Sequence, residues 1–82
     1  MDATAQAHPD PEQLAAVARS AASVLAEIED PAAFRALLEL SRHVGECLGL
    51  SARNLAAAQS WAGVASCAGT SRQAAWSRWA EH

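Results

Sequence analysis

The chain has 82 residues, enough for one small domain whose core is marginal as a monomer. It contains 22 alanines, all of its basic residues are arginines, and β-branched residues are scarce, so we expect an all-α fold of four to five short helices. A net charge of −3 argues against a generally basic nucleic-acid-binding surface, and no apolar run reaches the roughly 18 residues of a membrane helix.

Residues 1–9 show no apolar pattern and are expected to form a flexible tail. They also lack the basic segment followed by an apolar core that marks a signal peptide, so we expect a cytoplasmic protein with no membrane partner. Residues 10–82 are expected to form a single helical domain.

A first helix is predicted to begin at Asp10, because an N-cap aspartate is followed by proline and by an acidic residue in the first turn. Its apolar residues recur every three or four positions as far as Glu29. A helix with so little apolar bulk is unstable alone, so it packs against the next helix as an antiparallel pair, against a second subunit, or both.

The second helix begins with the same signal, at Asp30 and Pro31. Phe34, Leu37 and Leu38 form the heaviest apolar cluster of the chain and are predicted to lie in the core, with part of that face left for a partner. The predicted homodimer interface combines apolar residues of both helices: Leu14, Val17, Ala21, Val24, Leu25, Ile28, Phe34 and Leu38.

Gly49 is predicted to end the second helix in a left-handed cap, after which Ser51 caps a third helix over 52–59. A single unbroken helix through Gly49 is the alternative. With the helix ending at Gly49, the region 10–50 is expected to support and dimerise the protein, and 51–82 to form a helix-turn-helix unit.

The final stretch, from Ser60 onward, has the spacing of a helix-turn-helix. Ser60 is a suitable cap for a short helix, and Gly69 supplies the positive φ that a tight turn needs. Ser71 then caps a second helix that runs from Arg72 to about Ala80. In the first short helix, the residues expected on the inner face are Trp61, Val64, Ala65 and Ala68.

In the last helix, Ala75 and Trp79 are expected to face inward, which leaves an outer face near the N-terminal end. Arginine pairs with guanine and glutamine with adenine, so Arg72 and Gln73 are the candidates for base recognition. The full predicted DNA-contacting set, including residues expected to meet phosphates, is Ser71, Arg72, Gln73, Trp76, Ser77, Arg78 and Arg53.

The run SWxxVAxxxGxSRQAAWxRW resembles the core of small actinobacterial helix-turn-helix proteins, which typically reads SWAEIAxxLGVSRQAAxxRF. The resemblance is specific over about twenty residues, loose over 30–59, and absent from the first thirty. It implies a DNA-binding or transcription-associated role. Gly63 departs from the pattern by replacing glutamate, which removes the capping box with Ser60, and Cys67, Ala68 and Thr70 replace larger aliphatic residues.

The charge distribution is uneven: residues 1–46 carry a net charge of −5, and residues 47–82 carry +2. This polarity fits a sequence-specific DNA-binding regulator whose C-terminal end meets double-stranded DNA, acting as a homodimer. The alternative is a helical module that binds a sigma factor or another transcription protein. Three tryptophans, Trp61, Trp76 and Trp79, would suit such an interface because tryptophan is enriched at binding hot spots.

No residue pattern indicates an enzyme, a metal site or a cofactor: carboxylate pairs on apolar faces, nucleophile–base spacings and glycine-rich phosphate loops were not found. Cys47 and Cys67 are expected to be buried, small apolar residues in a reducing compartment. A disulfide or a shared metal site between the two cysteines is the less favoured alternative.

Overall fold

The computed structural model describes residues His8–Glu81, which form four α-helices: α1 Pro11–Glu27, α2 Pro31–Ala58, α3 Trp61–Ala68 and α4 Arg72–Trp79. No strand occurs within this range, so the all-α prediction is confirmed. Most of the predicted N-terminal tail, residues 1–7, lies outside the described part of the chain. None of the described helices combines the length and apolar content that crossing a membrane requires.

Both predicted N-terminal helix starts are confirmed. A side-chain oxygen of Asp10 accepts a hydrogen bond from the backbone N–H of Glu12 at 3.1 Å, and one of Asp30 accepts from that of Ala32 at 2.9 Å. The first helix ends at Glu27, two residues before the predicted end at Glu29, because the backbone becomes extended at Ile28.

The predicted break at Gly49 is wrong, and the alternative of one continuous helix is correct. Gly49 lies inside the 28-residue α2, so Ser51 starts no new helix. Within the described residues, positive φ among glycines occurs at Gly69 alone. A helical glycine costs about 1 kcal/mol relative to alanine. The alanine-rich segment that follows Gly49 and the burial of Ala52 offset that cost.

The chain divides into two compact units, Met1–Glu39 and Leu40–His82. In the first unit, Ala33 is buried, whereas Phe34 is 64% exposed and Leu38 is 55% exposed. The prediction that Phe34, Leu37 and Leu38 form the core is therefore wrong for Phe34 and Leu38, and Leu37 is half-buried. The small residue just before Phe34, not the large ones, occupies the buried position at the start of α2.

Helix α1 contains no buried residue, and its apolar stripe is largely open. Leu14, Val17 and Val24 are exposed, while Leu25 is half-buried. The antiparallel packing of α1 on the second helix stays a prediction, as does the single domain over 10–82.

The core of the second unit is built from small residues: Ala52 of α2, Val64 and Ala65 of α3, and Ala75 of α4. Ala75 is completely inaccessible to solvent. Trp61 and Trp79 pack against this cluster together with Leu55 and Ala56, as expected for the two tryptophans, whereas Ala68 is exposed. Because methyl groups fill the contact, these helices can approach closely, and the tryptophans cover its edge.

Candidate nucleic-acid interface

The connection between α3 and α4 is fixed by backbone and side-chain hydrogen bonds at each step. Gly69 has φ 70° and ψ 35°, the left-handed conformation that only glycine adopts at little cost. The backbone N–H groups of Gly69 and Thr70 both donate to the carbonyl oxygen of Ala65, the latter at 3.0 Å. The predicted turn at Gly69 is thus confirmed. It ends α3 and supplies hydrogen-bond donors to the carbonyl of Ala65, in the last turn of that helix.

Serine hydroxyls begin both short helices, as predicted. Oγ of Ser60 accepts from the N–H of Gly63, and Oγ of Ser71 accepts from the N–H of Ala74, each at 3.1 Å. Ser60 therefore caps α3 although Gly63 cannot return the second bond of a capping box. Because Oγ of Ser71 accepts a hydrogen bond in this cap, its hydroxyl hydrogen is the group that remains to donate to a ligand.

The outer surface of α4 is open to solvent, because this helix is anchored through Ala75. The side chains on this surface, which we call the α4 face, are Arg72, Gln73, Trp76, Ser77 and Arg78. Trp76 is 51% exposed and, with Arg72 and Gln73, lines a shallow depression of about 260 Å³. The two candidate base-reading side chains therefore lie together at the start of the helix.

The N-terminal end of α4 also presents backbone amides. The first N–H groups of any helix have no acceptor within that helix, and the helix dipole places partial positive charge there. With the Arg72 guanidinium beside them, these amides form a surface suited to an anion such as a phosphate.

Arg53, the seventh predicted DNA contact, has a bond within the second unit. Its Nη1 donates to the carbonyl oxygen of Trp79 at 3.1 Å, and the residue is half-buried. The guanidinium thereby links α2 to the last residue of α4. It runs close to Gly49, where an added Cβ would lie 3.2 Å from Nη1.

Arg78 lies over the ring of its neighbour Trp79, with Cζ 5.2 Å from the ring centroid. Arg78 and Trp79 line a groove of about 620 Å³ together with Arg53. Two acidic residues, Glu46 and Glu81, line the same groove. From residue 40 to 81 the chain carries four arginines against these two glutamates, so the second unit is weakly positive.

The residues predicted for the homodimer interface lie in the first unit. Leu25 is half-buried there, and the other members of the set are exposed: Leu14, Val17, Ala21, Val24, Ile28, Phe34 and Leu38. The homodimer interface remains a prediction.

The prediction of buried cysteines is wrong, since Cys47 and Cys67 are both exposed. Sγ of Cys47 lies 3.4 Å from Nε2 of His43, a contact that sequence reasoning missed. The signal was the four-residue spacing, which brings two side chains of one helix together. No group of three or more metal-binding residues occurs in the described range 8–81.

Comparison with protein-family models, with curated proteins and with solved structures finds no match to this chain.

Proposed function

We propose that this protein binds double-stranded DNA in a sequence-specific manner, as a homodimeric transcriptional regulator, with α3 and α4 acting as a helix-turn-helix. In this proposal α4 enters the major groove. Arg72 and Gln73 contact base edges, Ser77 and Trp76 lie beside them, and Arg78 meets the phosphate backbone.

The observation that carries the proposal is that the α4 face is exposed while the opposite side of the same helix is buried at Ala75. A recognition helix needs both properties, because it must offer side chains to the bases while holding a fixed angle to its supporting helix. The left-handed turn at Gly69 and the Ser71 cap support the same assignment.

A single copy offers few positive charges to DNA. If Arg72 and Arg78 each neutralise one phosphate, the logarithm of the binding constant falls by about 1.8 for each tenfold increase in salt, at roughly 0.9 per phosphate. Such a contact is weak at cellular ionic strength. Two copies on half-sites about one helical turn apart double this electrostatic contribution and allow useful affinity.

The exposed apolar residues of the first unit supply a surface for the second copy. No side chain larger than valine is buried in the described chain, while Val17 is 69% exposed and Phe34 is 64% exposed. Large exposed apolar side chains at helical spacing are costly in water, and pairing two copies would cover them. In this arrangement α1 and the start of α2 form the dimer, and the second unit remains free for DNA.

The proposal is tested by fluorescence anisotropy on labelled DNA selected by the protein from genomic fragments, measured across a range of salt concentrations. Arg72→Ala should abolish sequence-specific binding and reduce the salt dependence. Arg19→Ala, on α1, is the matched control and should leave both unchanged. Equal binding by the two variants would refute the assignment of α4 as the DNA-contacting helix.

A second candidate function is a protein-interaction module, favoured by the half-exposed indole of Trp76. Tryptophan is among the residues most often found at the energetic centre of protein interfaces. A partner such as a sigma factor would contact the same face through Trp76 instead of Arg72. In that case Trp76→Ala would abolish complex formation, and Arg72→Ala would leave it largely intact.

A further inference from the structure

Three chemically reactive side chains lie side by side on the exposed surface of α2. Sγ of Cys47 is 3.4 Å from Nε2 of His43, and the other ring nitrogen, Nδ1, is 3.7 Å from Oε1 of Glu46. All three residues lie within one turn of the helix and in the second unit, so their mutual placement depends on α2 alone. None of them belongs to the α4 face.

The thiol and the imidazole have the order of an activated nucleophile: a thiol, and a base within reach of its proton. The Glu46 carboxylate lies beyond hydrogen-bond distance of the ring, and its Oε2 accepts a hydrogen bond from Nη1 of Arg42 at 3.1 Å. Nε2 is the ring nitrogen that faces Sγ, so it is the atom placed to accept the proton of the thiol.

We propose that Cys47 is a site of thiol–disulfide exchange with low-molecular-weight disulfides, with His43 as its base. The proposal is independent of DNA binding. Because the thiol is exposed, a small disulfide can reach Sγ without any opening of the fold.

The reaction is balanced without further reagents. Cys47 transfers its proton to Nε2 of His43, and the thiolate attacks one sulfur of the disulfide. A bond forms between Sγ and that sulfur as the original sulfur–sulfur bond breaks, and the departing thiolate takes the proton from His43. The products are a mixed disulfide on Cys47 and one free thiol, and an excess of small thiol reverses the exchange.

The second cysteine of the chain provides an internal control. Cys67 is also exposed, but it lines an apolar depression with Leu48 and Val64, and no histidine in the described part of the chain is hydrogen-bonded to its sulfur. Exposure alone would make the two thiols equally reactive. Assistance by His43 would make them unequal.

The test uses the full chain with oxidised glutathione at about pH 7, and mass spectrometry follows each cysteine. Cys47 should form the mixed disulfide on the order of ten times faster than Cys67, below the full 10²–10⁴-fold effect of a positioned general base because this pair is exposed. His43→Gln should bring the rate at Cys47 down to that of Cys67. A general loosening of the fold, by contrast, would raise the rates at both cysteines.

Single-cysteine variants, Cys67→Ser and Cys47→Ser, check that the two sites react independently, and circular dichroism checks that helix content is kept. Rates at the two cysteines that agree within about twofold would overturn the proposal. An unchanged rate at Cys47 in the His43→Gln protein would do the same.

Discussion

The guanidinium of Arg53 donates a hydrogen bond to the carbonyl oxygen of Trp79 at 3.1 Å, across 26 residues of sequence. This bond joins α2 to the C-terminal end of α4, where unpaired carbonyls and the helix dipole favour a positive charge. Arg53, predicted from the sequence to contact DNA, thus also connects α2 to α4, the proposed recognition helix.

Replacing Arg53 should therefore reduce stability even without DNA. A hydrogen bond from a charged donor contributes about 1.5–3 kcal/mol when buried, and partial exposure of Arg53 lowers the expected loss in Arg53→Ala to about 1 kcal/mol. Urea unfolding followed by circular dichroism measures this loss. Arg78→Ala is the control, because it removes an exposed cation–π contact that contributes only about 0.5 kcal/mol.

Two helical glycines of α2 should respond differently to alanine. A Cβ on Gly45 would have no neighbour within 4 Å, whereas one on Gly49 would lie 3.2 Å from Nη1 of Arg53. Gly45→Ala should raise the free energy of unfolding by about 0.5–1 kcal/mol through helix propensity alone. Gly49→Ala should raise the free energy of unfolding by less, because the Arg53 guanidinium must move away from the new Cβ while it is hydrogen-bonded to Trp79. Equal gains in urea unfolding would mean that the guanidinium is not held in place.

Gly69 should tolerate alanine poorly, although a Cβ there would meet no atom within 4 Å. The cost comes from the backbone, since an L-residue in the left-handed conformation loses roughly 1–2 kcal/mol. Gly69→Asn should cost less than Gly69→Ala, because asparagine visits this conformation more readily. Thermal unfolding distinguishes the two variants, and identical midpoints to the parent protein would show that α3 and α4 meet without this turn.

Ala75 and Ala74 form a matched pair for testing the contact beneath α4. Ala75 is inaccessible to solvent and Ala74 is exposed. Ala75→Leu should overpack the core and cost about 1–3 kcal/mol, whereas Ala74→Leu should be nearly neutral. If both variants unfold at the same urea concentration as the parent chain, α4 is not packed through Ala75.

The local features of this fold could be predicted from the sequence because their causes are local. Asp10, Asp30, Ser60 and Ser71 each cap a helix start, and Gly69 takes the positive φ that the turn requires. A capping hydroxyl or carboxylate needs only the next few residues to find its partner, so spacing alone reveals it.

Whether Gly49 ends a helix or lies inside one could not be predicted from local spacing. Glycine is compatible both with a left-handed helix end and with a helix interior, and the choice depends on what the following residues pack against. Here Ala52 lies in the core of the second unit, and that packing favours a continuous helix. The error at Phe34 has a related cause, because apolar bulk predicts where burial would be favourable, not which residues of a small chain achieve it.

The exposed surface of α4, which we propose contacts DNA, was predictable in part. Arg72 and Gln73 are exposed together because Ala75 fixes the rotation of α4, and this rotation was readable from the spacing of Ala75 and Trp79. The bond between Arg53 and Trp79 was not readable, since it joins positions far apart in sequence. The contact between His43 and Cys47 was readable in principle, because both residues lie four positions apart within the predicted second helix.

The most direct test of sequence-specific DNA binding is selection of binding sites from a random pool of double-stranded DNA by the 82-residue chain. We predict enrichment of a defined motif, with two related half-sites about one helical turn apart. Gln73→Ala should relax the preference at individual positions of each half-site. Recovery of no motif at low salt, from protein that is folded by circular dichroism, would contradict sequence-specific DNA binding by α4.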